Sequence, residues 1–158
     1  MIVFSNTTPI IALSSIRSLH LLPHLFGEIH LVHEVIDECF VGGPIAVPDL
    51  LKTNWVKPVL STPIPHASVL LELDKGEKHT LNMACQYNAD WVIIDEKIGR
   101  NMAEYLGLRV TGTLGVLLKA KQQGLNPSFL DSVKAMQTHG IYYQSALIGK
   151  LAQAVGEG

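Results

Sequence analysis

Four acidic residues fall where a chain of this pattern would bring side chains together: Glu38, Glu77, Asp95 and Glu96. Glu38 lies on a helical stretch after the second β-like run, Glu77 at the start of a later helix, and the Asp95-Glu96 pair directly after the fourth such run, "WVII". Carboxylates drawn from separate elements are the hard oxygen donors that Mg²⁺ or Mn²⁺ prefers, and their mutual repulsion is relieved when a cation binds. One or two such ions can activate a water and stabilise charge on a scissile phosphate. Each acid also has a structural reading. Glu77 favours a helix dipole, Glu96 and Arg100 are spaced as an i,i+4 pair, and Glu38 suits an exposed helix face. The stretch Gly112-Thr113 reads equally as a cap before Leu114 to Leu118.

The elements that position these residues alternate. Short β-branched or aromatic runs at Ile2 to Ser5, Ile29 to Val32, Trp55 to Val59, Trp91 to Ile94 and Leu108 to Thr111 predict five strands. Between them lie helical patterns. Thr8 is expected to cap a helix with Pro9 at its first position. A second helix runs from about His33 to the breaker Gly42-Gly43-Pro44. After the Pro-rich "STPIPHAS" a short helix spans Val69 to Leu73 and stops at Asp74 to Gly76. Further helices run from Glu77 to Asn88, from Lys97 to Leu106 with Gly107 as C-cap, and over Gly112 to Gln123, Pro127 to His139 and Ser145 to Val155. Strands separated by helices imply an α/β fold with a parallel sheet and right-handed crossovers. Ligands of such sheets sit beyond the carboxyl ends of the strands. That places Asn6, Asp95-Glu96 and Thr111-Gly112-Thr113 at the site.

Composition narrows the classes. A chain of 158 residues with 47% hydrophobic and 16% charged residues is long enough for one domain with a core covered on both faces of a sheet. No repeat or linker divides it, so residues 1–158 read as one domain, with the helices from about residue 127 packing on the core or at a dimer interface. The apolar stretches are too short to span a bilayer. Met1 to Phe4 carries neither a basic n-region nor a small-residue cleavage site, so a cytoplasmic protein is expected. Cys39 and Cys85, each alone among apolar neighbours, read as reduced core thiols. A net charge of −2 excludes a generally basic protein that coats nucleic acid. Seven of the 12 basic residues do fall between Lys75 and Lys121, as solvated helix faces or as a local rim. The seven histidines show neither HExxH nor Cys/His zinc spacing.

The turn after the first strand reads "SNTTPI". It has no GxGxxG or GxxxxGK[ST], which excludes dinucleotide and P-loop sites. It also lacks the aspartates that a phosphoaspartate phosphatase or receiver domain would place there.

Four segments in this order, "SNTTPIIALSSI", "VHEVIDECF", "LDKGEKHTLNMA" and "WVIIDEKIGRNMAEYLGLRVTGTLGVLLKAKQQGL", resemble the DUF3368 branch of PIN-like domains from about Met1 to about Gly124, and more weakly beyond. The resemblance implies a compact α/β/α sandwich around a parallel sheet of about five strands. It also implies a Mg²⁺- or Mn²⁺-dependent ribonuclease, a toxin with an antitoxin protein as partner, RNA as substrate, and a homodimer. By position, Glu38, Glu77 and Asp95 correspond to metal ligands, with Glu96 where many members have a second aspartate. Arg100 would hold substrate phosphate or orient Glu96, and Thr113 would support the site through its hydroxyl. Asn6 stands where PIN nucleases generally carry their first aspartate, and this branch often has SNTS or SNTT there. An amide keeps one ligating oxygen but loses the charge and the second oxygen. Two readings follow: a nuclease in which Asn6 orients water, or a PIN-like module that binds RNA or a protein partner without turnover.

Overall fold

The computed structural model describes every residue except Gly42 and Ala67. Among the described residues there are five strands and eight α-helices, with the five strands separated by helical segments as expected. The strands are β1 (Val3–Ser5), β2 (Ile29–Val32), β3 (Val56–Val59), β4 (Trp91–Ile93) and β5 (Val110–Thr111). They form one fully parallel sheet in the order β3-β2-β1-β4-β5. Each falls inside its predicted run. β1 lies at the centre, with Phe4 opposite His30 on one side and Val92 on the other. It is wholly buried, as a strand covered on both faces must be.

The helices are α1 (Thr7–Ser15), α2 (Leu21–Phe26), α3 (His33–Val41), α4 (Lys75–Gln86), α5 (Lys97–Tyr105), α6 (Thr113–Gln122), α7 (Phe129–Thr138) and α8 (Ser145–Ala154). Two 3₁₀ turns, Leu50–Lys52 and Val69–Glu72, fill connections. The breaker after α3 includes Gly42, which lies outside the described residues. Phe129, Val133 and Met136 give α7 a buried stripe at i, i+4 and i+7, so the C-terminal helices share the core. On α8 the packed face is Ile148, Leu151, Ala152 and Val155, whereas Ala146 and Leu147 are exposed. Cys39 is buried, Cys85 is half-buried, and both are free thiols. Among the described residues no helix is long and apolar enough to cross a membrane.

Three local expectations are corrected. The N-cap of α1 is Asn6, not Thr8, and Pro9 occupies the third helical position, where its missing N–H is still one of the helix's orphan donors. Asp74 does not end the preceding turn. Its side chain accepts from the Glu77 amide (2.9 Å) and caps α4, which places Gly76 and Glu77 in the first turn. The six-residue α2 was not anticipated, since Pro23 and Gly27 so close together obscure a helical period.

Strand order reverses between β1 and β4, so the carboxyl ends of these two strands form the crevice in which open α/β sheets hold ligands. Asn6 leaves one of them and Ile94-Asp95-Glu96 the other. The Asn6 backbone N–H donates to the Ile93 carbonyl (2.9 Å) and ties the two exits together.

Candidate functional site

Asn6 is almost fully buried, and its Oδ1 has no hydrogen-bond partner. An N-cap asparagine ordinarily accepts from the amide at the second or third helical position. Here the third residue is Pro9, which has no amide hydrogen, and Asn6 makes no side-chain capping bond. The sequence Asn-Thr-Thr-Pro thus leaves the amide oxygen free of structural duty. A buried acceptor without a protein donor is costly, which makes the Asn6 oxygen a candidate to meet water or a ligand.

Glu77 carries the same signature on a carboxyl group. It is 6% exposed, and Oε2 is buried without a partner. Burial, reinforced by Asp74 and by the charges of Glu96 and Glu38, pushes its pKa up to about 8. Three acids from three segments therefore bear on one carboxylate: Glu38 from α3, Asp74 at the start of α4, and Glu96 at the cap of α5.

Glycines make room for this arrangement. A Cβ on Gly76 would stand 2.5 Å from Glu38 Oε1, and a Cβ on Gly99 would overlap Glu77 Oε2. The Gly-Glu that opens α4 and the Gly-Arg inside α5 are thereby explained: each glycine seats a carboxylate delivered by a different helix. Glu38 is exposed and accepts a hydrogen bond from Thr7 Oγ1 (2.7 Å), one residue past Asn6.

Asp95 differs from its neighbour. Its Oδ1 accepts from the Thr113 amide (2.7 Å), and its Oδ2 accepts from Thr113 Oγ1 (2.7 Å) and Tyr143 Oη (3.0 Å). The carboxylate thus closes the N-terminus of α6 and fastens the segment before α8 to the sheet. Burial, and then the Asp95 charge, raises the Tyr143 phenol pKa above its ordinary value. Tyr143 was not singled out in the sequence. It comes from 48 positions away, and no local pattern announces it.

Arg100 Nη1 donates to the Ile94 carbonyl (3.1 Å). The anticipated Glu96–Arg100 side-chain pair does not form, since the ion pairs among the described residues are Lys57–Glu28 and Lys121–Glu157. Of the clustered cations, Arg109 lies over Trp91, Lys119 lies over Phe26, and Lys121 bonds the Pro127 carbonyl as well as Glu157. Those three belong to the fold.

Among the described residues no three His, Cys, Asp or Glu side chains converge as a preformed metal cage. The donor chemistry nevertheless fits a hard divalent cation. It combines an orphaned buried carboxylate oxygen, an orphaned buried amide oxygen, and acids that repel one another in the absence of positive charge.

A family sequence model, DUF3368, described as a PIN domain, matches residues 2–157, nearly the whole chain. The chain belongs to this PIN-domain family. No curated protein and no solved structure matched it. The parallel five-stranded sheet agrees with a PIN-like α/β fold. PIN domains are a nuclease fold that generally binds RNA and uses divalent metal ions. In this PIN domain Asn6 leaves β1 at the switch point of the sheet, and Glu77 stands within the field of Glu38, Asp74 and Glu96.

Proposed function

We propose that the chain is a divalent-metal-dependent ribonuclease that hydrolyses RNA phosphodiester bonds at the carboxyl ends of β1 and β4. The observation that carries this reading is Glu77: a buried carboxylate with no donor on Oε2, surrounded by acids, at the crevice where this fold holds its ligands. Mg²⁺ or Mn²⁺ would be held by Glu77, Glu38 and Glu96, with the Asn6 amide oxygen directed to the ion or its water. When bound, the ion supplies an activated water and charge stabilisation at the phosphate.

Asp95, a metal ligand by resemblance, takes a different role in this reading. With its oxygens engaged by Thr113 and Tyr143, it anchors the turn that carries Glu96, and Thr113 is a positioning residue. Arg100, with one donor fixed on the Ile94 carbonyl, keeps the rest of its guanidinium for substrate. A cytoplasmic toxin restrained by an antitoxin protein, and acting as a homodimer, completes the reading from the family; a sedimentation mass of one chain would remove the last element.

The test is incubation with a mixed single-stranded RNA pool in Mn²⁺, with EDTA, Glu77→Gln and Asp95→Asn as controls. Products that require both metal and Glu77 are expected, with Asp95→Asn reducing them through the displaced Glu96. RNA retained uncut regardless of EDTA would favour a binding module without turnover, for which the neutral Asn6 is the motive. Cleavage gained in Asn6→Asp would then locate the loss.

A further inference from the structure

Beside the acidic crevice, and sharing Asp95 with it, lies a second cavity of about 290 Å³ between β5, the start of α6 and α8. Arg100 and Asp95 line its polar end, and Leu114, Leu147 and Leu151 line its walls. Glycine at residue 112 lets the Arg100 and Asp95 side chains close in on the backbone at this polar end. A Cβ there would stand 2.8 Å from Arg100 Nη1 and 2.8 Å from Asp95 Oδ1. One small volume is thus faced by a guanidinium with unused donors and by a carboxylate oxygen whose one recorded donor is the Thr113 amide.

That pairing selects the ligand. A free anion would meet the Asp95 carboxylate, and a cation would meet Arg100. A neutral group that offers acceptors and donors side by side satisfies both. The apolar walls require that group to be largely carbon above and below its polar edge. The volume lies just under the range of about 300–1,000 Å³ typical of drug-sized ligands and suits one planar ring system. Guanine meets these conditions. Its N7 and O6 acceptors match the arginine fork, and its N1–H donor matches the remaining lone pair of the carboxylate oxygen. Adenine places an amino donor where guanine has O6, and so opposes Arg100.

We infer that this cavity takes an unstacked guanine of the RNA, with Arg100 reading N7 and O6, Asp95 Oδ1 accepting from N1–H on its remaining lone pair, and Leu114, Leu147 and Leu151 enclosing the ring. Recognition of splayed-out bases by their polar edges is how proteins read single-stranded RNA. This inference deepens the ribonuclease reading, because it supplies a base preference next to the proposed scissile phosphate.

The experiment is methyl NMR of the full chain in EDTA, titrated separately with guanosine 5′-monophosphate, adenosine 5′-monophosphate and inorganic phosphate. The guanine nucleotide is expected to shift the Leu114 and Leu151 methyls and to bind about tenfold tighter than the adenine nucleotide. Arg100→Met should abolish the preference. Leu147→Trp, a change at an exposed position on the cavity rim, should fill the cavity and abolish the shifts while leaving the remaining spectrum folded. Equal binding of the two nucleotides, the same shifts with phosphate alone, or guanine binding that survives Leu147→Trp would overturn the inference. Because metal is absent, an inactive protein that still binds guanine would refute only the ribonuclease reading. A cleaving protein that ignores guanine would refute only the pocket.

Discussion

Glu157 and Glu77 are both carboxylates placed at the first turn of a helix, and the fold treats them in opposite ways. Glu157 reaches back from the C-terminus to α7 and accepts from Phe129 N (2.8 Å), Leu130 N (3.0 Å) and Ser128 Oγ (3.1 Å), with Lys121 3.5 Å away. The Leu130 amide leads the interactions that hold its pKa below the usual carboxylate value. Glu77 also stands at a helix start, where the dipole favours negative charge, yet Oε2 has no donor and the neighbouring acids oppose its ionisation. Glu157 is a structural clasp completed by the protein. Glu77 is left incomplete, and in the proposed reading a cation completes it.

The largest effect is expected from Glu77→Gln. If Glu77 is a metal ligand, the variant loses divalent-metal affinity by more than the roughly 10- to 100-fold that removal of a supporting hydrogen bond costs a metal site, as read by calorimetric titration. Gly99→Ala tests the same point without touching a charge. The new Cβ would take the space of Glu77 Oε2, so Mn²⁺ affinity should fall roughly 10- to 100-fold. Thermal stability should hold or rise, because alanine is favoured over glycine in helices by about 1 kcal/mol. A metal-binding loss that only followed global destabilisation would argue against a seating role for Gly99.

The pH dependence separates the two carboxylates by sign. With a folded-state pKa near 8, raised from an ordinary 4.5, Glu77 contributes stability that is fully present below about 4.5 and is lost as pH rises through about 8. The thermal midpoint of the metal-free protein in EDTA should therefore decline towards alkaline pH, and Glu77→Gln should flatten that decline. Glu157, with its lowered pKa, contributes in the other direction: its stabilisation is present above the ordinary carboxylate pKa and is lost as pH falls through the lowered value. Glu157→Gln should lower the neutral-pH midpoint slightly and remove that part of the acid loss. This is the smallest effect of the set, since the clasp is near the surface and screened by solvent.

What the sequence made legible follows from which signals are local. The strands could be read because each is a short β-branched or aromatic run, and the rule that ligands lie beyond strand ends then placed Asn6 and the Asp95-Glu96 pair in one crevice. The distinct surroundings of Asp95 and Glu96 could not be read. They are adjacent in sequence, and only the tertiary partners Thr113 and Tyr143 draw the first carboxylate away from the group around Glu77. Asn6 as cap was missed because Thr8-Pro9 is itself a strong helix-start signal. Its consequence, an amide released by a proline three residues on, was nevertheless written in the chain. The glycines of the Gly-Glu and Gly-Arg motifs were visible as a family signature, but their purpose needed the positions of carboxylates on other helices.

The most direct test of the central claim is calorimetric titration of Mn²⁺ into the protein near pH 7, in buffers of different ionisation enthalpy, for wild type and Glu77→Gln. If the ion completes Glu77, binding to the wild type should release about one proton, because a carboxylate with pKa about 8 must ionise to ligate, and the variant should show neither the binding nor the release. Binding of equal strength in both proteins with no proton release would contradict the account.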